Sequence, residues 1–158
     1  MARVYLETSF FSACVTTRTD VASLFWRNES LGWMRTQRSR HEVFTSAEVV
    51  AELGRPAYPH RTEALRLLVD LPLLAITPEV LGLARLLVDE KAMPGPVGGD
   101  AVHVAAAAYH QMDYLLTWNV KHLANPNKRR HLTTVCLRLA LTPPQIVTPS
   151  HLWEADNE

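Results

Sequence analysis

The chain has 158 residues, a length that favours one domain able to bury a real core without staples. Apolar residues make up 47% and charged residues 20%, ordinary values for a globular protein, and no stretch of 18 uninterrupted apolar residues offers a membrane span. Lys plus Arg equal Asp plus Glu at 16 each, which excludes a strong global field for nucleic acid but leaves room for a local basic patch.

Residues 3–7 read as a short buried strand built on Val4, Tyr5 and Leu6, with Thr8 and Ser9 following as loop or cap residues. Asp20 is placed to cap a helix over 21–38, where Leu24, Leu31 and Met34 recur at helical spacing. That helix carries Phe25, Trp26 and Trp33, which suit a core or an interface. Residues 43–45 form a brief strand, and Ser46 caps a helix over 47–53 that Gly54 and Pro56 end. An amphipathic segment at 60–70 leads to a strand at 73–77 bounded by prolines. Pro78 then suits the first turn of a second amphipathic helix running to about residue 92. Two prolines and three glycines force a loop at 93–99. An alanine-rich helix starts at Asp100, and a strand follows at 114–117. A short helix over 120–123, a last helix over 128–140 and a strand at 145–148 complete the order.

This alternation predicts an α/β fold, a three-layer α/β/α sandwich around a mostly parallel sheet. A single domain spans residues 1–153, with 154–158 as a frayed tail. Cys14 and Cys136 belong to no CxxC pair and read as buried small hydrophobes. The N-terminus carries no signal-like run, so a reducing cytoplasm is the expected location.

In an open parallel sheet, ligands sit beyond the carboxyl ends of the strands. Glu7 ends the first strand, Glu52 lies in the helix after the second, Asp100 starts the helix before the fourth, and Asn119 follows that fourth strand. Three carboxylates packed together repel one another unless a cation neutralises them, and hard oxygen donors suit Mg²⁺ or Mn²⁺. Taken singly, each residue has a plainer reading. A glutamate in a short helix such as Glu52 is more often a solvated surface charge. Asp100 also suits a simple N-cap, Asn119 a cap for the short helix after it, and His103 a packed, hydrogen-bonded helix residue. Glu7 is harder to explain away, because an acid ending an apolar strand needs a partner. Lys121 and His122 lie where a phosphate backbone would pass, or are an ordinary exposed pair. The chain has no HExxH, GxGxxG or GxxxxGK[ST], and Ser9 has no GxSxG context, which disfavours zinc hydrolase, nucleotide-binding and serine hydrolase chemistry.

The segments VYLETSFFSA, TSAEVVAEL, GGDAVHVAAAA and DYLLTWNVKHLAN resemble, in order, the four motifs of the PIN-domain family, and within it the VapC-type toxins of toxin–antitoxin pairs. The resemblance covers nearly the whole chain. It implies a metal-dependent endoribonuclease acting on single-stranded RNA, a cognate antitoxin protein that blocks the site, and a homodimer. By position, Glu7, Glu52 and Asp100 would hold Mg²⁺ or Mn²⁺, and Asn119 would complete the catalytic set. Thr8, Ser9, His103, Thr117 and Lys121 would support it. Two residues depart from the family pattern: Glu7 stands where Asp is usual, and Asn119 stands where a fourth acid often lies. The extra methylene of Glu7 moves its carboxylate outward by about 1.5 Å. The missing charge at Asn119 weakens attraction for a divalent ion. These departures give the rival reading its support: a catalytically inactive PIN-like module that binds RNA or protein.

Overall fold

A computed structural model describes residues 1–123 and 126–155. Strand β1 (Arg3–Leu6) runs through the centre of the molecule, with Val4, Tyr5 and Leu6 fully buried. A strand covered on both faces reads as an unbroken apolar run, and β1 does after Arg3. It leads directly into α1 (Thr8–Val15) and then α2 (Val21–Thr36), which Asp20 caps by accepting from the Ser23 amide at 3.2 Å. Then come β2 (Glu42–Ser46), α3 (Ala47–Leu53), α4 (Arg61–Arg66) and β3 (Leu73–Leu74). The second half holds α5 (Pro78–Asp89), α6 (Asp100–Tyr109), β4 (Tyr114–Leu116), α7 (Val120–Leu123), α8 (Pro126–Arg138) and β5 (Gln145–Val147).

The five strands form one parallel sheet in the order β3-β2-β1-β4-β5, with helices on both faces. This is the expected three-layer α/β/α sandwich. The chain moves one way from β1 through β2 to β3, then returns to place β4 and β5 on the other side of β1. The order therefore reverses between β1 and β4, the place where an open parallel sheet offers a crevice at its carboxyl edge. Register fixes that edge: Leu6 lies opposite Leu116, and the Glu7 amide donates to the Leu116 carbonyl at 3.1 Å.

Helix α6 supplies much of the core. Residues Ala101 through Ala108 are all buried, and α6 packs against α5. Five alanines in that run let the surrounding backbone approach closely without a loss of helix propensity. Both cysteines are buried free thiols, and burial pushes the Cys14 thiol up to about 12.

Several expectations need correction. Thr8 and Ser9 are not loop residues but the first turn of α1, whose Phe10, Phe11, Ala13 and Cys14 are buried. The segment at 60–70 is helical only to Arg66. Beyond it the backbone tightens, with the Leu67, Leu68 and Val69 amides each donating three residues back. Strand β3 keeps two residues of the expected five. Trp33 is a core residue and cannot anchor an interface. It is fully buried, its Nε1 donates to the Leu152 carbonyl at 2.8 Å, and it packs edge-on to Phe10. Gly32 beside it leaves space for the Trp153 ring, which an added Cβ would meet at 3.2 Å. One turn on, Gln37 accepts from the Glu154 amide at 2.8 Å and donates to the Glu154 carbonyl at 3.1 Å. The rest of the expected tail, residues 156–158, lies outside the described residues.

Trp33 thus fastens the C-terminal segment to α2. Trp33→Ala should destabilise the fold by about 3–5 kcal/mol, as for other buried aromatic truncations. Urea denaturation checks this; an unchanged midpoint would contradict the central position of the ring.

Candidate functional site

Glu7 sits at the carboxyl end of β1 and is 5% exposed. A carboxylate so buried must find donors. Its Oε2 accepts from the Ser9 amide at 3.1 Å, from the Ser9 hydroxyl, and from Thr117 Oγ1 at 2.7 Å. Glu7 is thereby the N-cap of α1 as well as the end of β1. Thr117, fully buried just past β4, also accepts from the Asn119 amide at 2.9 Å. Ser9 Oγ accepts from the Trp118 amide at 2.9 Å. The first strand–helix turn and the turn after β4 are thus stitched together through one carboxylate.

Asp100 lies in the first turn of α6. The N-cap is Gly99, whose φ of 96° is a conformation that favours glycine. The plainer reading of Asp100 as a cap therefore gives way. Its two carboxylate oxygens accept from Asn119 Nδ2 at 3.4 and 3.3 Å. The Asn119 carbonyl accepts the Leu123 amide and opens α7, while its side chain reaches Asp100. Glu7, Thr117, Asn119 and Asp100 form one hydrogen-bonded chain.

A second branch starts at Thr8. Its hydroxyl lies 3.5 Å from His103 Nε2, and that nitrogen is 2.8 Å from Glu52 Oε1. His103 Nδ1 is 2.6 Å from the Tyr5 hydroxyl, which is 2.8 Å from Ser46 Oγ, the N-cap of α3. Burial lowers the pKa of His103, but the hydrogen bond to Glu52 and the charges of Glu7, Glu52 and Glu48 outweigh it and hold the ring above its ordinary 6.5. Burial raises Glu52, and the His103 hydrogen bond and charge more than reverse it, leaving the carboxyl below its ordinary 4.5. A protonated ring donates from both nitrogens, one to Glu52 and one to Tyr5. Glu52 is 15% exposed, so it is not the solvated surface charge of the plainer reading. Burial also drives the Tyr5 phenol well above its usual value, so Tyr5 stays neutral.

Lys121 is exposed on α7 and makes no contact with this network among the described residues. The side chain of His122 and residues 124–125 of the fourth motif lie outside the described residues. Sequence reasoning missed Tyr5, Ser46 and Trp118. A tyrosine in the middle of a buried strand is itself a signal, because its hydroxyl needs an internal partner.

No family profile and no curated protein matches the chain. Solved structures do. The chain aligns with FitAcB from Neisseria gonorrhoeae at a TM-score of 0.59 and 14% identity, over 94% of this chain and 99% of that one. With VapC20 of Mycobacterium tuberculosis, a sarcin–ricin loop cleaving toxin, the TM-score is 0.54 at 19% identity, over 73% and 89%. VapBC2 from Rickettsia felis, bound to a DNA fragment from its promoter, gives 0.50 at 17% identity, over 75% and 89%.

The chain has a PIN-like fold. Identities this low speak for the fold alone, so chemistry rests on the residues. Among the described residues, no three His, Cys, Asp or Glu side chains are gathered into a ready-made metal cage. The donor set still fits a hard divalent ion in kind, with carboxylates from three elements at one PIN-like rim. All hydrogen bonds to Glu7 among the described residues fall on Oε2, which leaves Oε1 able to take a further ligand.

The paired shifts of His103 and Glu52 set a pH dependence. A raised histidine pKa stabilises the fold fully below 6.5 and stops doing so as pH rises through the folded value. A lowered carboxyl pKa stabilises fully above 4.5 and stops as pH falls through the folded value. The pair contributes most between those limits. Glu52→Gln in metal-free buffer should therefore lose more stability at about pH 5.5 than at about pH 9. Urea denaturation at the two pH values measures the gap, and an equal loss at both would refute the ion pair.

Proposed function

We propose that this protein is a divalent-metal-dependent endoribonuclease, the toxin of a VapBC-type toxin–antitoxin pair acting in the cytoplasm. The observation that supports it most is the hydrogen-bonded chain from Glu7 through Thr117 and Asn119 to Asp100, at the point where the strand order reverses. The likeness of fold to VapC20, a toxin that cleaves the sarcin–ricin loop, adds support for an RNA substrate.

Glu7, Glu52 and Asp100 would hold Mg²⁺ or Mn²⁺, with Asn119 completing the pocket directly or through water. When bound, the ion supplies an activated water and neutralises charge on the phosphodiester. The chain's own residues prepare that site. Ser9 and Thr117 fix the rotamer of Glu7. Asn119 spans both oxygens of Asp100 and keeps them facing the rim. His103 holds Glu52, and when protonated it offsets the mutual repulsion of the acids. Lys121 adds phosphate attraction at the edge.

Purified protein with Mn²⁺ should cut a panel of single-stranded RNAs, stop in EDTA and resume on readdition of metal. Asp100→Asn should abolish cleavage. Asn119→Ala, which removes the amide that tethers Asp100 and completes the pocket, should slow it by about 10- to 100-fold. Intact RNA throughout, or Asp100→Asn cutting like the wild type, would favour the rival PIN-like module without catalysis, which the residues Glu7 and Asn119 support.

The partner is a small antitoxin protein that covers the rim, and the toxin is a homodimer. Trp33 takes no part in the dimer, since it is buried in the core. Sedimentation at micromolar concentration tests this, and monomer alone would remove the dimer without touching the nuclease reading.

A further inference from the structure

A cavity of about 430 Å³ adjoins the acid network. Its size falls in the range of roughly 300–1,000 Å³ common to small-ligand sites. We propose that it holds an unpaired nucleobase of a single-stranded RNA, stacked on Trp26 and Trp118 beside the scissile phosphate, an inference that rests on the ribonuclease reading above.

Continuity is the first argument. Ser9 and Asn119 line the cavity, and the same two residues bond Glu7 and Asp100. A nucleotide with its phosphate at the acids would have its base directed at this space. The second argument is the aromatic wall. Trp118 is fixed in place: its Nε1 donates to Ser30 Oγ at 2.8 Å, and Phe25 meets it edge-on at 6.0 Å. Trp26 stacks on it with centroids 5.8 Å apart and planes 27° apart. Trp26 remains 39% exposed, a large apolar ring left facing solvent. Two paired indoles, one of them anchored, make a stacking platform that accepts any base, because every base has a π-face.

The third argument is charge. Among the described residues no acid lines the cavity, although three carboxylates belong to the adjoining network, while Arg18 and His60 do line it. Thr17 holds the His60 ring at 3.3 Å, and the Arg18 side chain is 77% exposed, with its Nε paired to Asp20 at 3.3 Å. Hydroxyls of Ser12, Thr16 and Thr17 also line it; Ser12 donates to the Thr8 carbonyl and keeps its oxygen as an acceptor, and Thr16 accepts from the Arg18 amide and keeps its proton as a donor. An indole platform with hydroxyls and a cation matches a nucleotide better than it matches an aliphatic peptide face.

The test uses the full-length protein in EDTA and a fluorescein-labelled single-stranded RNA of about 12 nucleotides. Anisotropy is compared for that strand and for one of equal length carrying abasic sites. Trp26→Ala should weaken binding of the intact strand about 5- to 150-fold, the loss expected for one base–aromatic stack. Trp26→Phe should retain most of the binding. The abasic strand should bind wild type as weakly as the intact strand binds Trp26→Ala, an arm that needs no variant to fold. Wild-type affinity for both strands, or unchanged RNA binding by Trp26→Ala, overturns the proposal. So does a Trp26→Ala protein that binds RNA normally but sheds a copurified antitoxin, since the groove would then dock protein. Base-dependent binding without cleavage in Mn²⁺ would sink the nuclease reading and keep the base site. Cleavage with an unchanged KM in Trp26→Ala would do the reverse.

Discussion

The burial of the Glu7 carboxylate at the end of the central strand is the constraint on which the rest depends. Taking a carboxylate out of water costs several kcal/mol unless its oxygens find good donors. Here the donors are neutral: the Ser9 amide and hydroxyl and the Thr117 hydroxyl. Each donor dictates local structure. The Ser9 amide is available only because α1 starts at Thr8, directly after the acid. Thr117 is in reach only because β4 pairs in parallel with β1 and stops one residue earlier. A change of register between those strands would strand the charge. The site and the topology are therefore held by the same bonds.

His103 plays the corresponding part on the other branch. It is the polar residue in a run of α6 that is otherwise alanine and valine, and it is 1% exposed. It lies between Glu52 and the Tyr5 hydroxyl. When protonated, the ring in that place lowers the repulsion that two glutamates near one strand end would otherwise generate. It also links three elements, since Tyr5 belongs to β1, Ser46 caps α3, and His103 belongs to α6. Losing the ring would leave a buried phenol and a mostly buried carboxylate without their shared partner.

Much of this arrangement is legible in the amino-acid sequence. The parallel sheet follows from alternating strands and helices, and the caps at Asp20 and Ser46 follow from their residue types and positions. The convergence of Glu7, Asp100 and Asn119 toward one rim follows from where strands end. Three features are not legible, each for a physical reason. Helix α1 is one of the shorter helices and mostly buried, and its partly exposed polar residues are only Ser9 and Ser12, too few to set a clear period. Strand β3 is an edge with two paired residues, so its apolar run says little about pairing. The division of partners among the acids depends on side-chain reach, and motif spacing carries no such information. Trp118 belongs with these: it sits in the fourth motif between Thr117 and Asn119, yet its role is set by Ser30, Phe25 and Trp26 from α2.

Asn119 and Glu7, the two departures from the motifs that the sequence resembles, act in the same direction. An acid at position 119 would add attraction for a cation but could donate nothing to Asp100, and the two carboxylates would repel. The amide instead gives a neutral tether across both Asp100 oxygens. The longer Glu7 side chain reaches Thr117 and Ser9 in one bend, tying up one carboxylate oxygen and sparing the other. Each carboxylate thus has a partner from within the chain: hydroxyls for Glu7, a histidine for Glu52, an amide for Asp100. A divalent ion held at this rim, as proposed, would have to compete with those hydrogen bonds as well as with water. The long Asn119–Asp100 contacts give way at least cost, and the short Glu52–His103 contact at most. Glu7 would offer its unbonded Oε1 without giving up a bond, Asp100 would give up its long bonds most easily, and Glu52 would be the acid whose engagement is most tightly coupled to His103.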